Sequence, residues 1–344
     1  MRNRFPFSPL LLVLPLLTLA GQAQLAPSPD APPVSHAPAA PQEEESVGTI
    51  KVNVNLVDVF FTVKAKDGTL VPHLSKDDCT ILEDKVPQTP KSFVAETHLP
   101  LTLGIVLDTS GSQMRVLPLE QDAGSQFLQE VIKPKDEAFI LSVDVNVDLL
   151  QDLTNSTRLL SKALYKAEIN APGSLLPSPV PTPGGPRGTV LYDAVYLATR
   201  EKLNEETGHK ALIMLTDGED QGSRVKINEA IAAAQKSNVI VYVILIADVE
   251  SYLSQGLGYS GYSAMKKMTE ETGGRVINVG NNGKKLEAAF RQIEDELRTQ
   301  YVVSYTSNNT KMDGGFRHLS VECKGDGMKV QVRKGYYAPN GQDN

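Results

Sequence analysis

The amino-acid sequence predicts an α/β protein: a doubly wound, mostly parallel sheet joined to a β-sandwich-like domain built from both chain ends. Three observations carry this. Between residues 99 and 298, short apolar runs without charge take turns with segments of helical period, as a parallel sheet covered by helices requires. Before residue 99 and after 298, apolar and polar residues alternate with period two, and no helical period intervenes. Two of the uncharged runs end at an aspartate followed by turn residues, and the carboxyl ends of the strands are where open α/β sheets bind ligands.

The chain begins with features of an export signal over residues 1–23. Arg2 and Arg4 precede the apolar run Leu10–Leu19, which Pro15 interrupts, and Gly21-Gln22-Ala23 offers small residues for cleavage. That run is too short to span a membrane comfortably, and nothing later does better. No cysteine follows it, so a lipid anchor is not expected there. Residues 24–47 are rich in Pro, Ala and acid and read as a disordered linker. The N-terminal β segment, 48–98, alternates through Ile50, Val52, Val54 and Leu56, slips phase once, and continues through Val57, Val59, Phe61 and Val63. Asp67-Gly68 marks a turn, and Cys79–Glu83 and Phe93–Glu96 supply further short strands.

In the α/β part, Leu101–Leu107 reads as a strand buried on both faces and Met114–Val131 as a helix. Ala138–Val143 is a strand, with Val147–Leu150 beside it, and Ser161–Ile169 and Val190–Leu203 have helical spacing. Lys210–Leu215 is a strand, Val225–Lys236 a helix, and Val239–Ile246 a central strand by its β-branched content. A helix at Ala264–Glu271, a strand at Arg275–Val279 and a helix at Lys284–Leu297 complete the alternation. Residues 171–188 are dense in Pro and Gly and form neither helix nor central strand; this is a long loop, functional or a tolerated surface insertion. The C-terminal β segment, 299–338, holds Tyr301–Tyr305, Arg317–Glu322 and Met328–Arg333, split by Asn308-Asn309 and Asp313-Gly314 turns and followed by a tail at 339–344. It is expected to pack with residues 48–98.

The formal charge of −7, from 34 basic and 41 acidic residues, becomes −9 once Arg2 and Arg4 leave with the signal. That balance argues against nucleic acid as a partner.

Asp108, Ser110 and Ser112 follow the first uncharged strand, Thr189 stands just before a later helical segment, and Asp217 follows the strand Lys210–Leu215. In a doubly wound sheet these segments converge on one edge. The set offers two carboxylates and three hydroxyls and no His or Cys, which selects Mg²⁺, Ca²⁺ or Mn²⁺ over zinc or copper. Hydroxyls donate less electron density than carboxylates, so the ion stays electrophilic and favours a carboxylate from outside.

Asp108-x-Ser110-x-Ser112, then Thr189, then Asp217 in a Thr-Asp-Gly context, resembles the metal-ion-dependent adhesion site of von Willebrand factor type A domains over residues 99–298. The flanks resemble bacterial exported von Willebrand factor A-related proteins: Val54-Asn55-Leu56-Val57, the segment from Asp78 to Asp84, and Arg333-Lys334-Gly335-Tyr336-Tyr337. The resemblance implies that Asp108, Ser110, Ser112, Thr189 and Asp217 hold the ion, directly or through water. It further implies Mg²⁺, alternatively Ca²⁺ or Mn²⁺, and a protein ligand with an exposed acidic residue. Cys79 and Cys323 depart from the pattern, since apolar residues are more usual there. Leu319, Val321 and Cys323 share one strand face, as do Cys79, Ile81 and Glu83, although Glu83 breaks the apolar pattern. In an exported chain the two cysteines would bridge the N- and C-terminal β segments; the alternative is two buried free thiols.

Other readings compete. Ser and Asp after a strand also cap helices, with no metal involved. Neither Ser110 nor Ser112 lies in a Gly-x-Ser-x-Gly elbow. The histidines, His36, His73, His98, His209 and His318, fall in linker, loop or β contexts, and an aspartyl phosphotransferase would want a second Asp where Ser110 stands. Gly256-Leu257-Gly258-Tyr259-Ser260-Gly261 fits a dinucleotide fingerprint in letters, but it does not directly follow its strand and lacks the later acid. The expectation is an exported, non-enzymatic, metal-dependent protein-binding module, periplasmic or extracellular. Its alternative is an envelope structural or assembly module whose site is vestigial or merely stabilising.

Overall fold

The computed structural model describes residues 56–95, 99–170, 188–247 and 260–341. The export signal, the linker, the alternating run at 48–55, the Pro-rich loop up to residue 187, the Gly-rich run up to Tyr259 and the last three residues lie outside the described residues. The first described segment forms four strands: β1 (Leu56–Lys64), β2 (Cys79–Glu83), β3 (Val86–Gln88) and β4 (Pro90–Ala95).

Six strands follow: β5 (Leu101–Asp108), β6 (Glu137–Val143), β7 (Val147–Thr154), β8 (His209–Thr216), β9 (Ile240–Leu245) and β10 (Val276–Asn278). They make one sheet in the order β10-β9-β8-β5-β6-β7, parallel except for the antiparallel edge pair β6–β7. Every residue of β5, β8 and β9 is buried, because helices cover both faces. On one face Leu103, Ile105 and Leu107 pack in a core with α1 (Leu117–Val131), α2 (Thr157–Leu164) and α6 (Gly283–Arg298). On the other, Val106, Leu212 and Met214 share a core with α3 (Leu191–Leu197), α4 (Ile227–Lys236) and α5 (Gly261–Thr272). This is the doubly wound, mostly parallel sheet expected from the sequence. Strand order reverses at β5, whose neighbours are β6 on one side and β8 on the other, and that reversal opens a crevice at the carboxyl ends.

Several element boundaries differ from those read off the sequence, each for a local reason. The helix expected from Met114 starts at Leu117, after a 3₁₀ turn at Gly111–Gln113, and Pro118 stands in its first turn, where a missing N–H costs little. The helix expected over 161–169 runs over 157–164 instead, because Ser156 caps it by accepting the Leu159 N–H at 3.4 Å. The segment 190–203 is not one α-helix. After Leu197 it widens into π-helical turns over Ala198–Leu203, where Thr199 Oγ1 donates to the carbonyls of Val195 and Tyr196.

Past α6 come β11 (Tyr301–Thr306), β12 (Phe316–Cys323), β13 (Lys329–Val332) and β14 (Gly335–Tyr337). With the first four strands they form two four-stranded antiparallel sheets, β13-β1-β11-β4 and β14-β12-β2-β3. Val59, Phe61, Ile81, Tyr301, Val303 and Tyr305 fill the space between them, so strands from both chain ends share one core. Cys79 and Cys323 stand directly opposite each other in the β2–β12 ladder, Cα to Cα 4.0 Å, and are disulfide-bonded.

Glu83 is 2% exposed and lies in that core. The break in alternation is a deliberate inward carboxylate: Tyr305 Oη at 2.7 Å, Ser307 Oγ at 2.6 Å and Tyr336 Oη at 2.9 Å all donate to it. Burial and the bond to Glu83 push the Tyr336 hydroxyl up to about 12, and the same causes raise Tyr305. Sandwich and α/β sheet belong to one compact unit and meet through further buried polar groups. The Glu296 carboxylate of α6 accepts from Lys64 Nζ of β1 and Arg275 Nε at 2.7 Å each, and from Gln331 Nε2 of β13 at 3.1 Å. The Gln331 amide donates to the Gly273 carbonyl at 3.0 Å and Arg333 Nη1 to the Gln235 carbonyl at 3.4 Å.

The disulfide closes a loop with a sequence separation of 244 residues. Reduction is therefore expected to destabilise the protein by about 2–4 kcal/mol, mostly by freeing the unfolded chain. Urea unfolding with and without reductant checks this; identical midpoints would contradict it.

Candidate metal centre

Leu107 of β5 is in register with Leu215 of β8, so the next residues, Asp108 and Thr216, come out side by side at the carboxyl edge. Thr216 Oγ1 donates to Asp108 Oδ2 at 2.6 Å, and Asp108 Oδ1 accepts the Ser110 N–H at 2.9 Å. The second bond is an Asx-type turn that curls residues 108–112 back over the strand end. It brings Ser110 Oγ and Ser112 Oγ to 2.9 Å of each other.

Asp217 leaves β8 through a turn that requires glycine. Gly218 has φ +83°, donates its N–H to Thr216 Oγ1 at 2.9 Å, and a Cβ there would stand 2.9 Å from Met265 Cγ. Asp217 Oδ1 accepts the Glu219 N–H at 3.1 Å. Thr189 is tied to the same loop by an antiparallel bridge with Gln221, its N–H donating to the Gln221 carbonyl at 3.2 Å and its carbonyl accepting the Gln221 N–H at 2.8 Å. All three segments named from sequence therefore reach one edge. Asp108, Thr189 and Asp217 are buried, whereas Ser112 is exposed, which gives an acidic floor under a hydroxyl-bearing rim.

The neighbouring acids serve the scaffold. Glu219 accepts the N–H groups of Ser260 and Gly261, at 2.7 and 2.8 Å, at the start of α5. These are the amides that the dinucleotide fingerprint would turn toward a phosphate, and a carboxylate already holds them. Asp220 accepts from Ser223 Oγ at 2.5 Å and from the Tyr192 N–H at 3.1 Å.

Sequence reading missed three residues here. Thr216, which the sequence offers only as the neighbour of Asp217, donates to Asp108. Gln113, next to Ser112, is 1% exposed and donates from Nε2 to Ser112 Oγ at 3.4 Å. Glu120 is fully buried on the core face of α1, between Leu117 and Ala123. A charged residue at core spacing on an otherwise apolar helix face was the signal that could have found it.

Electrostatics concentrate at this edge. Asp108 is pushed up to about 7, first by burial and then by the charge of Asp217. Glu120 is raised well above the usual carboxylate range, by burial first and then by Asp108 and Asp217. Among the described residues no three His, Cys, Asp or Glu side chains are gathered closely enough to hold an ion by themselves, so a centre here must use hydroxyls as well. The residues fit a hard divalent cation on two grounds. Every donor is oxygen, and Glu120 Oε1, Glu120 Oε2 and Gln113 Oε1 are buried with no hydrogen-bond partner.

No family model matches the chain, and none of the curated proteins does. Solved structures similar to it include the conserved hypothetical protein BatB from Bacteroides thetaiotaomicron, 20% identical over 57% of this chain and 98% of that one, TM-score 0.44. Another is proximal thread matrix protein 1 from the mussel byssus with a zinc-occupied MIDAS motif, 14% identical over 63% and 50%, TM-score 0.48. A third is von Willebrand factor type A from Catenulispora acidiphila, 12% identical over 85% and 76%, TM-score 0.47. This chain thus spans about half the length of the mussel protein. Its six-stranded sheet keeps the doubly wound, mostly parallel arrangement described above.

The raised Asp108 sets a pH dependence for the metal-free protein. Its carboxyl binds a proton more tightly folded than unfolded between pH 4 and 7, so its contribution to stability is present near pH 4 and is lost as pH rises toward 7. The slope from this one proton is at most about 1.4 kcal/mol per pH unit. In chelator, Asp108→Asn should gain stability over wild type as pH rises from 4.5 to 7.5, measured by urea unfolding at each pH. A pH-independent difference would contradict it.

Proposed function

We propose that this protein is an exported, non-enzymatic binding module that engages a protein partner through a divalent cation. Asp108, Ser110, Ser112, Thr189 and Asp217 would hold the ion, directly or through water. Mg²⁺ suits the all-oxygen set, with Ca²⁺ or Mn²⁺ as alternatives. The carrying observation is the meeting of three loops at the sheet's reversal point, with buried carboxylates below and an exposed Ser112 above. When bound, the ion supplies an electrophilic coordination position; the chain orients it, keeps the acids desolvated and leaves the hydroxyl side open. A partner carboxylate completes that position. Export is supported by the disulfide, since such bonds persist in oxidising compartments. No helix among the described residues is long and apolar enough to cross a membrane.

Two outcomes follow. Titration calorimetry with Mg²⁺ or Mn²⁺ should show binding by wild type and none by Asp108→Ala, which removes a charged member of the set. Equal binding by both proteins would refute the centre. Partner capture from envelope extract should be lost in excess chelator while circular dichroism shows the fold intact. A purified partner that binds as well in chelator would remove the metal bridge, leaving an assembly module with a stabilising site.

A further inference from the structure

We infer that Glu120 is an outer carboxylate of the metal centre, accepting hydrogen bonds from water held on the ion; the inference rests on the metal-binding reading above. The argument starts from a group that stability does not explain. Glu120 has no exposed surface, and neither of its carboxylate oxygens has a hydrogen-bond partner. A buried carboxylate without donors is among the most unfavourable side chains a helix face can carry. Its neighbours on that face, Leu117, Ala123 and Phe127, are apolar, and an aliphatic residue at position 120 would pack there without that penalty.

A second orphan points to the same place. Gln113 is 1% exposed, its Nε2 is directed at Ser112 Oγ, and its Oε1 has no partner. Three acceptor oxygens without donors therefore belong to the stretch of chain that directly follows Ser110 and Ser112, on Gln113 and in the first turn of α1. Water on a divalent ion supplies what they lack, since coordination spends its lone pair on the metal and leaves both hydrogens to donate. Glu120 does not join the inner ligands, because no three acids gather closely enough for that among the described residues. Its charge interacts with Asp108 and Asp217 at longer range. Glu120, Asp108 and Asp217 thus repel one another, and a dipositive ion would relieve that repulsion. Glu120 is a positioning residue: it orients the ion's water shell and so holds Ser110 and Ser112 to the metal.

The test uses the mature chain and MnCl₂ as the probe, with Glu120→Gln and Glu120→Leu. Calorimetry should show Mn²⁺ affinity about 10- to 100-fold weaker in both variants, the usual range for outer-shell substitutions. In chelator, Glu120→Leu should melt a few degrees above wild type, because the unpartnered buried carboxyl group is gone. A merely structural role moves the second measurement the other way. Wild type that binds Mn²⁺ together with variants that bind equally well overturns this inference and leaves the centre standing. Wild type that binds no Mn²⁺ overturns the centre itself and Glu120's role with it.

Discussion

Leu107 of β5 and Leu215 of β8 stand opposite each other in a parallel ladder, and the whole candidate centre hangs on that register. A slip of one residue would turn Asp108 to the other face of the sheet and part it from Thr216. The pairing is secured from both sides. Leu103, Ile105 and Leu107 are buried in one helical layer, Val106, Leu212 and Met214 in the other, so neither strand can shift without exposing a face. The core thus sets the geometry of the edge.

What the register assembles is unfavourable in itself. Asp108, Asp217 and Glu120 bring carboxylates together in a buried setting, and the upward displacement of Asp108 and Glu120 reports the cost. Elsewhere among the described residues, Glu83 and Glu296 are buried with donors in place. Glu83 has three hydroxyls and Glu296 a lysine, an arginine and an amide. Glu120 has none. The contrast within one chain separates acids that build the structure from one that awaits something the side chains do not supply.

The sandwich does more than close the chain. Lys64 of β1 and Gln331 of β13 both reach Glu296 of α6. These bonds tie α6, which covers the same sheet face as α1, to strands from both termini. The disulfide between β2 and β12 joins those termini covalently.

The uncharged runs at 101–107, 211–215 and 239–246 determine a two-sided sheet by themselves, since no other element hides so many apolar residues in succession. Aspartates and hydroxyls at the ends of such runs were legible as an edge cluster for the same reason. Local boundaries were less so: Ser156 displaced one helix start and Thr199 accompanies the widening of another, both through single side-chain bonds that periodicity does not register. Burial decided the rest. Spacing marks Glu120 and Glu83 as acids at core positions, but nothing in the letters distinguishes a buried acid that meets donors from one that does not. That difference arises only when α1 settles on the sheet and when Tyr305, Ser307 and Tyr336 converge from the far end of the chain. Sequence carries the period of an element and the chemistry at its ends; which acids lose their water, and whether a donor replaces it, depends on neighbours hundreds of residues away, and only the tertiary structure supplies them.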